Sequence, residues 1–239
     1  VSLTDHSESL GLVELFKTAV TPVWIDLDGD QTPEPLWISH DGWFALDRNA
    51  QGGPALREIV VPSGYEQADA GDIVALVLDA DGDDLNDLMV ISARAELLRV
   101  AAPWTLDLED KRALSLPPAS VVDTAVGDLN GDGLPDIVAG MALYRGELLP
   151  RSGHPDVALM NLGAGRFEVV PITPSAMGLS NGVTLADIDA DGRLDIVESL
   201  DFTSMGELSR ILLNRTEPGD SVPTFEVSEH SYDCGTYGM

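Results

Sequence analysis

The nine residues "DLNGDGLPD" at 128 to 136 place Asp128, Asn130, Asp132 and Asp136 at positions one, three, five and nine, with Gly131 and Gly133 between them. They run directly into Ile137-Val138-Ala139. The stretch recurs as "DLDGDQTPE" at 26 to 34, "DADGDDLND" at 79 to 87 and "DIDADGRLD" at 187 to 195. The same four positions hold Asp26, Asp28, Asp30 and Glu34 in the first copy. They hold Asp79, Asp81, Asp83 and Asp87 in the second, and Asp187, Asp189, Asp191 and Asp195 in the fourth. Fifteen of these sixteen side chains are carboxylates, so the pattern is a repeat and not a chance turn.

Successive copies start 53, 49 and 59 residues apart. A period near 50 with irregular spacing suits one supersecondary unit with variable surface loops. Short β-rich runs enter each loop (Val23 to Ile25, Ile73 to Leu78, Val121 to Val126, Val183 to Ala186). Others leave it (Leu36 to Ile38, Leu88 to Ile91, Ile137-Val138, Ile196-Val197), so each loop reads as a hairpin connection. Two more strands fit behind each hairpin, most clearly in "DVALMNLGAGRFEVVPI" at 156 to 172, with similar pairs in "GWFALDRNAQGG" and "ALREIVVP", and in "RILLNRTEPGDSVPTFEVSEH". The predicted fold is all-β, a β-propeller of four-stranded antiparallel blades. Residues 8 to 18 alone carry a helical pattern. Domain boundaries follow as a lead-in over 1–19 and one propeller unit over 20–239.

Four carboxylates held within a few ångströms repel unless a cation sits among them or some take up protons. Oxygen-only ligation excludes a thiolate or imidazole metal. A loop offering six to eight oxygens at about 2.3–2.6 Å suits Ca²⁺ better than Mg²⁺. Backbone carbonyls at position seven (Thr32, Leu85, Leu134 and Arg193) complete the expected ligand sets. Glycine at position four or six (Gly29, Gly82, Gly131, Gly133, Gly192) permits the positive φ that folds the chain around an ion. The third loop has both glycines and is expected to be the best-formed site. The first, with Gln31, Pro33, Glu34 and Pro35, is expected to be the weakest, so three to four Ca²⁺ ions are expected. An EF-hand is the nearest competitor, since Glu198 stands at position twelve of the fourth loop. The other loops have Trp37, Val90 and Ala139 there, and "PITPSAMGLSNG" before the fourth loop cannot be an amphipathic helix.

The D-x-D/N-G-D-G-x-x-D loop followed by an apolar strand, with a downstream "NLGAGRF", resembles the FG-GAP or VCBS-type repeat, over about residues 20 to 230. That family includes the calcium-binding blades of integrin α-subunits and many bacterial secreted proteins. The resemblance implies that the loop joins the first two strands of a blade and that calcium rigidifies it on one face of the propeller. The Phe-Gly and Gly-Ala-Pro segments that name the family are absent, so the likeness is to the calcium-loop half of the repeat. Family propellers usually carry about six to eight blades. The ending "SYDCGTYGM" is placed like "PSAMGLSNG" before the fourth entering strand, which favours a longer propeller over a closed four-bladed ring.

A formal charge of −28 with only two lysines, Lys17 and Lys111, leaves no basic track for nucleic acid. The 44% hydrophobic content argues against disorder. No apolar run approaches a bilayer span, and residues 1 to 20 lack a secretory signal pattern. Cys234 is the only cysteine, so no disulfide closes within the chain.

His6, His40, His154 and His230 are scattered, and no nucleophile elbow, P-loop or HExxH stretch is present. Trp24, Trp37, Trp43 and Trp104 read mainly as blade core, with Trp43 and Trp104 the better placed for stacking on sugar. Asn214-Arg215-Thr216 fits a glycosylation sequon, and "RGE" at 145 to 147 is not an adhesion tripeptide. The expected function is a calcium-stabilised, non-catalytic recognition or adhesion module, extracellular, periplasmic or on the cell surface, binding a protein or carbohydrate. The alternative is a portion of a secreted propeller enzyme acting on polysaccharide as a lyase or hydrolase. An intracellular calcium sensor is the least favoured, because rigid hairpin loops lack a bistable element.

Overall fold

The computed structural model describes residues 22–39, 42–48, 52–60, 73–91, 94–108, 114–117, 120–142, 155–172, 179–201 and 209–228. The helical pattern at 8 to 18, the four histidines, Cys234 and the "RGE" tripeptide lie outside them. Among the described residues every regular element is a strand.

Blade one contains β1 (Val23–Ile25), β2 (Glu34–Ser39), β3 (Gly42–Arg48) and β4 (Pro54–Ile59). Blade two contains β5 (Val74–Leu78), β6 (Asp87–Ile91), β7 (Arg94–Ala102) and β8 (Thr105–Leu108), and β9 (Leu114–Ser115) also pairs with β7. Blade three contains β10 (Ser120–Gly127), β11 (Asp136–Ala142), β12 (Val157–Asn161) and β13 (Phe167–Pro171). Blade four contains β14 (Leu179–Ala186), β15 (Asp195–Asp201), β16 (Arg210–Asn214) and β17 (Phe225–Val227). In each sheet the four strands pair antiparallel in chain order, as propeller blades do. Each acidic stretch joins the first two strands of its blade.

Middle strands explain why the alternation expected of a half-buried sheet is missing. In β11, Ile137, Ala139 and Met141 pack against blade two, while Val138 packs against blade four. Both faces are covered, so the strand reads as a continuous apolar run. β6 and β12 are buried at every residue for the same reason. Three cores result, one between each pair of successive blades.

The blades are also tied by polar contacts that recur at one place, the carbonyl at position two of each loop. The Trp104 N–H donates to Leu27 O at 2.6 Å, Asn161 Nδ2 to Ala80 O at 2.9 Å, and Asn214 Nδ2 to Leu129 O at 2.8 Å. Asn161 and Asn214 both end the third strand of their blade, and both are buried. The sequon at Asn214 is therefore no glycan acceptor in the fold: its amide is fully buried and also donates to Leu194 O at 3.0 Å. Asp123, beside a bulge in β10, adds a tie by accepting the Val183 N–H at 2.9 Å.

Replacing Asn161 with alanine leaves the buried Ala80 carbonyl without its donor. A loss of about 1–3 kcal/mol in urea denaturation is expected, against little change for a control at the exposed Glu168.

Candidate metal loops and the cleft between them

All four loops adopt one conformation, and the carboxylates build it. The position-one Oδ1 accepts a backbone N–H from position four or five: Gly29 to Asp26, Gly82 to Asp79, Gly131 to Asp128, Asp191 to Asp187. Its Oδ2 accepts the N–H of position six, from Gln31, Asp84, Gly133 and Gly192. The position-five carboxylates Asp30, Asp83, Asp132 and Asp191 accept from position seven, Thr32, Leu85, Leu134 and Arg193. Position nine closes the loop by accepting the position-two N–H: Leu27 to Glu34, Ala80 to Asp87, Leu129 to Asp136, Ile188 to Asp195.

Positions four and six both take positive φ in every loop, at Gly29 and Gln31, Gly82 and Asp84, Gly131 and Gly133, Ala190 and Gly192. Sequence reading expected a glycine at one or the other. The structure shows that three loops hold a side chain in this region, where an L-residue is strained.

In the first, second and fourth loops, carboxylate oxygens from positions one, three and nine lie within 4.8 Å of one another: Asp26, Asp28 and Glu34; Asp79, Asp81 and Asp87; Asp187, Asp189 and Asp195. The first loop gathers its carboxylates as the others do, despite Pro33 and Gln31. The third loop presents an amide at position three; Asn130 Oδ1 accepts the Asp132 N–H and its Nδ2 donates to Asp132 Oδ2 at 3.0 Å. Burial pushes the Asp136 carboxyl up to about 6 although the Leu129 and Asn161 N–H groups donate to it. Burial also raises Glu34, with Asp28, Asp26 and Asp30 adding to the shift. Oxygen-only donors whose negative charge is uncomfortable fit a hard divalent cation.

The fourth loop differs in carrying its own cations. Arg215 Nη1 lies 2.7 Å from Asp189 Oδ2 and 3.3 Å from Asp191 Oδ2, and Arg193 pairs with Asp191. The hydrogen bond from Arg215 holds Asp189 below the ordinary carboxylate range.

Between the first two loops runs a cleft of about 810 Å³. Asp26, Asp28, Asp81 and Asp83 line it, with Leu85 and Arg99. Trp43 and Trp37 do not reach it or any solvent face, since both are buried; Trp43 is 1% exposed and belongs to the core between blades one and two. Trp104 is covered by the Arg57 guanidinium, 4.4 Å from its ring centre. Trp24, at 62% exposure, is the open indole among the described residues.

A second acidic group was not legible in the sequence. Asp156 accepts from the Met141 N–H and from Ser180 Oγ at 2.5 Å, and beside it lies Glu198, fully buried and paired with Arg210 at 2.7 Å. Burial pushes the Glu198 carboxyl up to about 8, with Asp156 adding to the shift and Arg210 opposing it. Glu198 Oε1 has no donor nearby. Position twelve is where the rejected EF-hand would carry a ligand; here Glu198 pairs with Arg210 beside Asp156, where blades three and four meet.

Residues 128–198 match the FG-GAP-like repeat. The match opens on Asp128, closes on Glu198, and so spans the third and fourth loops with β11 to β14 between them. No curated protein matches the chain. Among solved structures, the chain is similar to a lectin of Agrocybe aegerita described for specific recognition of non-reducing terminal N-acetylglucosamine. The TM-score is 0.54 and the identity 16%, over 91% of this chain and 53% of the lectin. The chain thus spans about half the length of that lectin, and at this identity the likeness is one of fold. No helix among the described residues is long and apolar enough to cross a membrane.

Two measurements check the site. Ala190→Gly relieves a left-handed alanine and is expected to raise stability by about 1 kcal/mol, with Gly131→Ala lowering it by a similar amount. No atom lies within 4 Å of a Cβ at Gly131, so strain alone decides the second case. For Glu198, a carboxyl raised to about 8 from 4.5 binds its proton more tightly folded than unfolded. Its contribution is complete below 4.5 and is lost as pH rises through 8. Glu198→Gln, neutral throughout, is expected to flatten the decline in urea midpoint between those values.

Proposed function

We propose that the chain is a calcium-stabilised recognition module, a non-catalytic propeller unit over residues 20–239 that binds a carbohydrate partner. The observation that carries the proposal is one acidic loop conformation recurring four times, three copies of which gather three carboxylates within 4.8 Å of one another, with a cleft between the first two. The side chains at positions one, three, five and nine of each loop, with the carbonyls of Thr32, Leu85, Leu134 and Arg193, would hold the ions. The FG-GAP-like match over 128–198 and the lectin's fold support this assignment and the choice of a carbohydrate. A bound Ca²⁺ supplies neutralisation of the loop carboxylates and a cross-link between the two ends of the hairpin. Four ions would take the formal charge from −28 to −20.

Millimolar calcium outside the cell or in the periplasm fills even sites with a dissociation constant of about 10⁻⁴ M. That is where such a module would work. The cleft between the first two loops is the proposed ligand site, because its walls combine carboxylates, Arg99 and the exposed Leu85 within reach of both cages.

Chelation is expected to lower the thermal midpoint, since a site at hundredfold excess over its dissociation constant contributes about 2.7 kcal/mol. An unchanged midpoint with EDTA would sink the calcium assignment. On a glycan array, binding in calcium is expected to be lost in Leu85→Asp and Arg99→Ala variants whose melting is unaltered. Binding that survives both variants would move the ligand site elsewhere.

A further inference from the structure

A hollow of about 240 Å³ opens between blades two and three, and none of its described lining residues belongs to an acidic loop. Blade two contributes Met89, Ala95 and Leu97, and β9 contributes Leu114. The turn between β12 and β13 contributes Arg166, and β13 begins with Phe167. Met89, Ala95, Leu97 and Phe167 belong to the core between these two blades, and Leu114 packs against it. The hollow is therefore a gap in an otherwise close-packed seam. β9 forms one edge of it: β8 pairs with the end of β7, while β9 takes the start of the same strand through Arg94–Ser115 and Ala95–Leu114. The other three described sheets have no such fifth strand.

Protein interiors leave few voids larger than a water molecule, because an empty space forfeits the dispersion contacts of the atoms that line it. A void of about 150 Å³ walled by leucine, isoleucine and phenylalanine already takes a benzene ring. The hollow here holds such a ring with a short substituent. It falls below the roughly 300–1,000 Å³ of pockets for larger ligands, so an oligosaccharide does not fit.

Arg166 gives the hollow a charge. It is exposed and lines the same space as the buried apolar residues. The chain has 41 acidic residues, and Arg57, Arg193, Arg210 and Arg215 each pair with a carboxylate. Arg166 pairs with no described carboxylate. Its Nε donates to the Gly163 carbonyl at 3.4 Å, which leaves both Nη groups without a partner among the described residues.

We propose that this hollow binds a small aromatic monocarboxylate, with the ring among Met89, Leu97 and Phe167 and the carboxylate on the Arg166 guanidinium. A polarisable methionine sulfur and a neighbouring phenyl ring both favour an aromatic occupant over an aliphatic one. The planar guanidinium offers parallel N–H donors that match the two oxygens of a carboxylate. The net charge of −28 repels an anion at a distance, but that field is screened beyond about 8 Å at physiological salt. At contact Arg166 decides the sign. The site is separate from the cleft between the first two loops, so it stands or falls apart from the carbohydrate assignment.

Phenylacetate is the probe, and its neutral isostere phenylacetamide is the control. Titrating phenylacetate into the full chain, labelled at its methionine methyls, is expected to shift the Met89 signal in NMR spectra. Met160, in the core between blades three and four, is expected to stay unmoved. Phenylacetate is expected to bind about tenfold more tightly than the amide, the gain of a hydrogen bond to a charged group. Arg166→Gln, at an exposed position, is expected to abolish that preference and leave the melting midpoint unaltered. Ala95→Leu fills the hollow and is expected to end the Met89 shift. If it disturbs the circular dichroism spectrum, Leu114→Phe at the half-buried edge replaces it. A Met89 signal that phenylacetate does not move, equal binding of acid and amide, or a preference that survives Arg166→Gln each overturns the proposal.

Discussion

Burial of the ninth-position carboxylate is the interaction on which the architecture turns. Asp136 and Asp195 are completely buried, and each spends one oxygen on the N–H at position two of its own loop. The other oxygen accepts from the third strand, from Asn161 N and Asn214 N at 2.8 Å each. A single side chain therefore closes the hairpin and docks the next strand against it. Burying a carboxylate is costly unless its lone pairs are matched, and two backbone donors do not fully offset the cost at Asp136, whose carboxyl is pushed up to about 6 by burial. The remaining imbalance is what a cation among positions one, three and nine would remove.

From that clamp the inter-blade order follows. Because the ninth carboxylate fixes position two, its carbonyl projects toward the following blade, where a donor meets it in each of the three junctions. Two junctions use an asparagine side chain and one uses the Trp104 backbone N–H, so the geometry of the acceptor is kept while the donor varies. The same fixed loop also carries the position-two side chain into the apolar core. Polar registration and apolar burial are thus set at one residue, and successive blades cannot slide past each other without losing both.

Much of this was legible because the loop is a strict pattern of charged residues on a two-residue period, and such patterns survive in a bare sequence. The hairpins at all four loops, the two further strands of each blade and the all-β class follow from it. The inter-blade asparagines were harder to see. Asn161 and Asn214 lie at different distances from their loops, and one of them sits in a sequon that suggested an exposed role. The tryptophans read mainly as blade core, and Trp43 and Trp37 are buried, whereas the exposure of Trp24 and the Arg57 cover over Trp104 depend on neighbours that residue type does not reveal. Asp156 and Glu198 could not have been paired from spacing, since one stands before β12 and the other within β15. The strain at Gln31, Asp84 and Ala190 is a backbone property that the glycines at their equivalents only hint at.

The fourth loop shows how one scaffold can settle the same electrostatic problem in two ways. Its position-three and position-five carboxylates face Arg215, and Arg193 pairs with the latter, so two guanidinium groups are ion-paired directly to this cage. An exposed ion pair is worth little by itself and is further weakened by salt. The arginines therefore reduce the repulsion in the fourth cage without locking it shut. Arg215 follows the inter-blade Asn214 directly, so the residue that ties blade four to blade three also brings a positive charge to its loop. Charge balance and blade registration are coupled through these two adjacent residues.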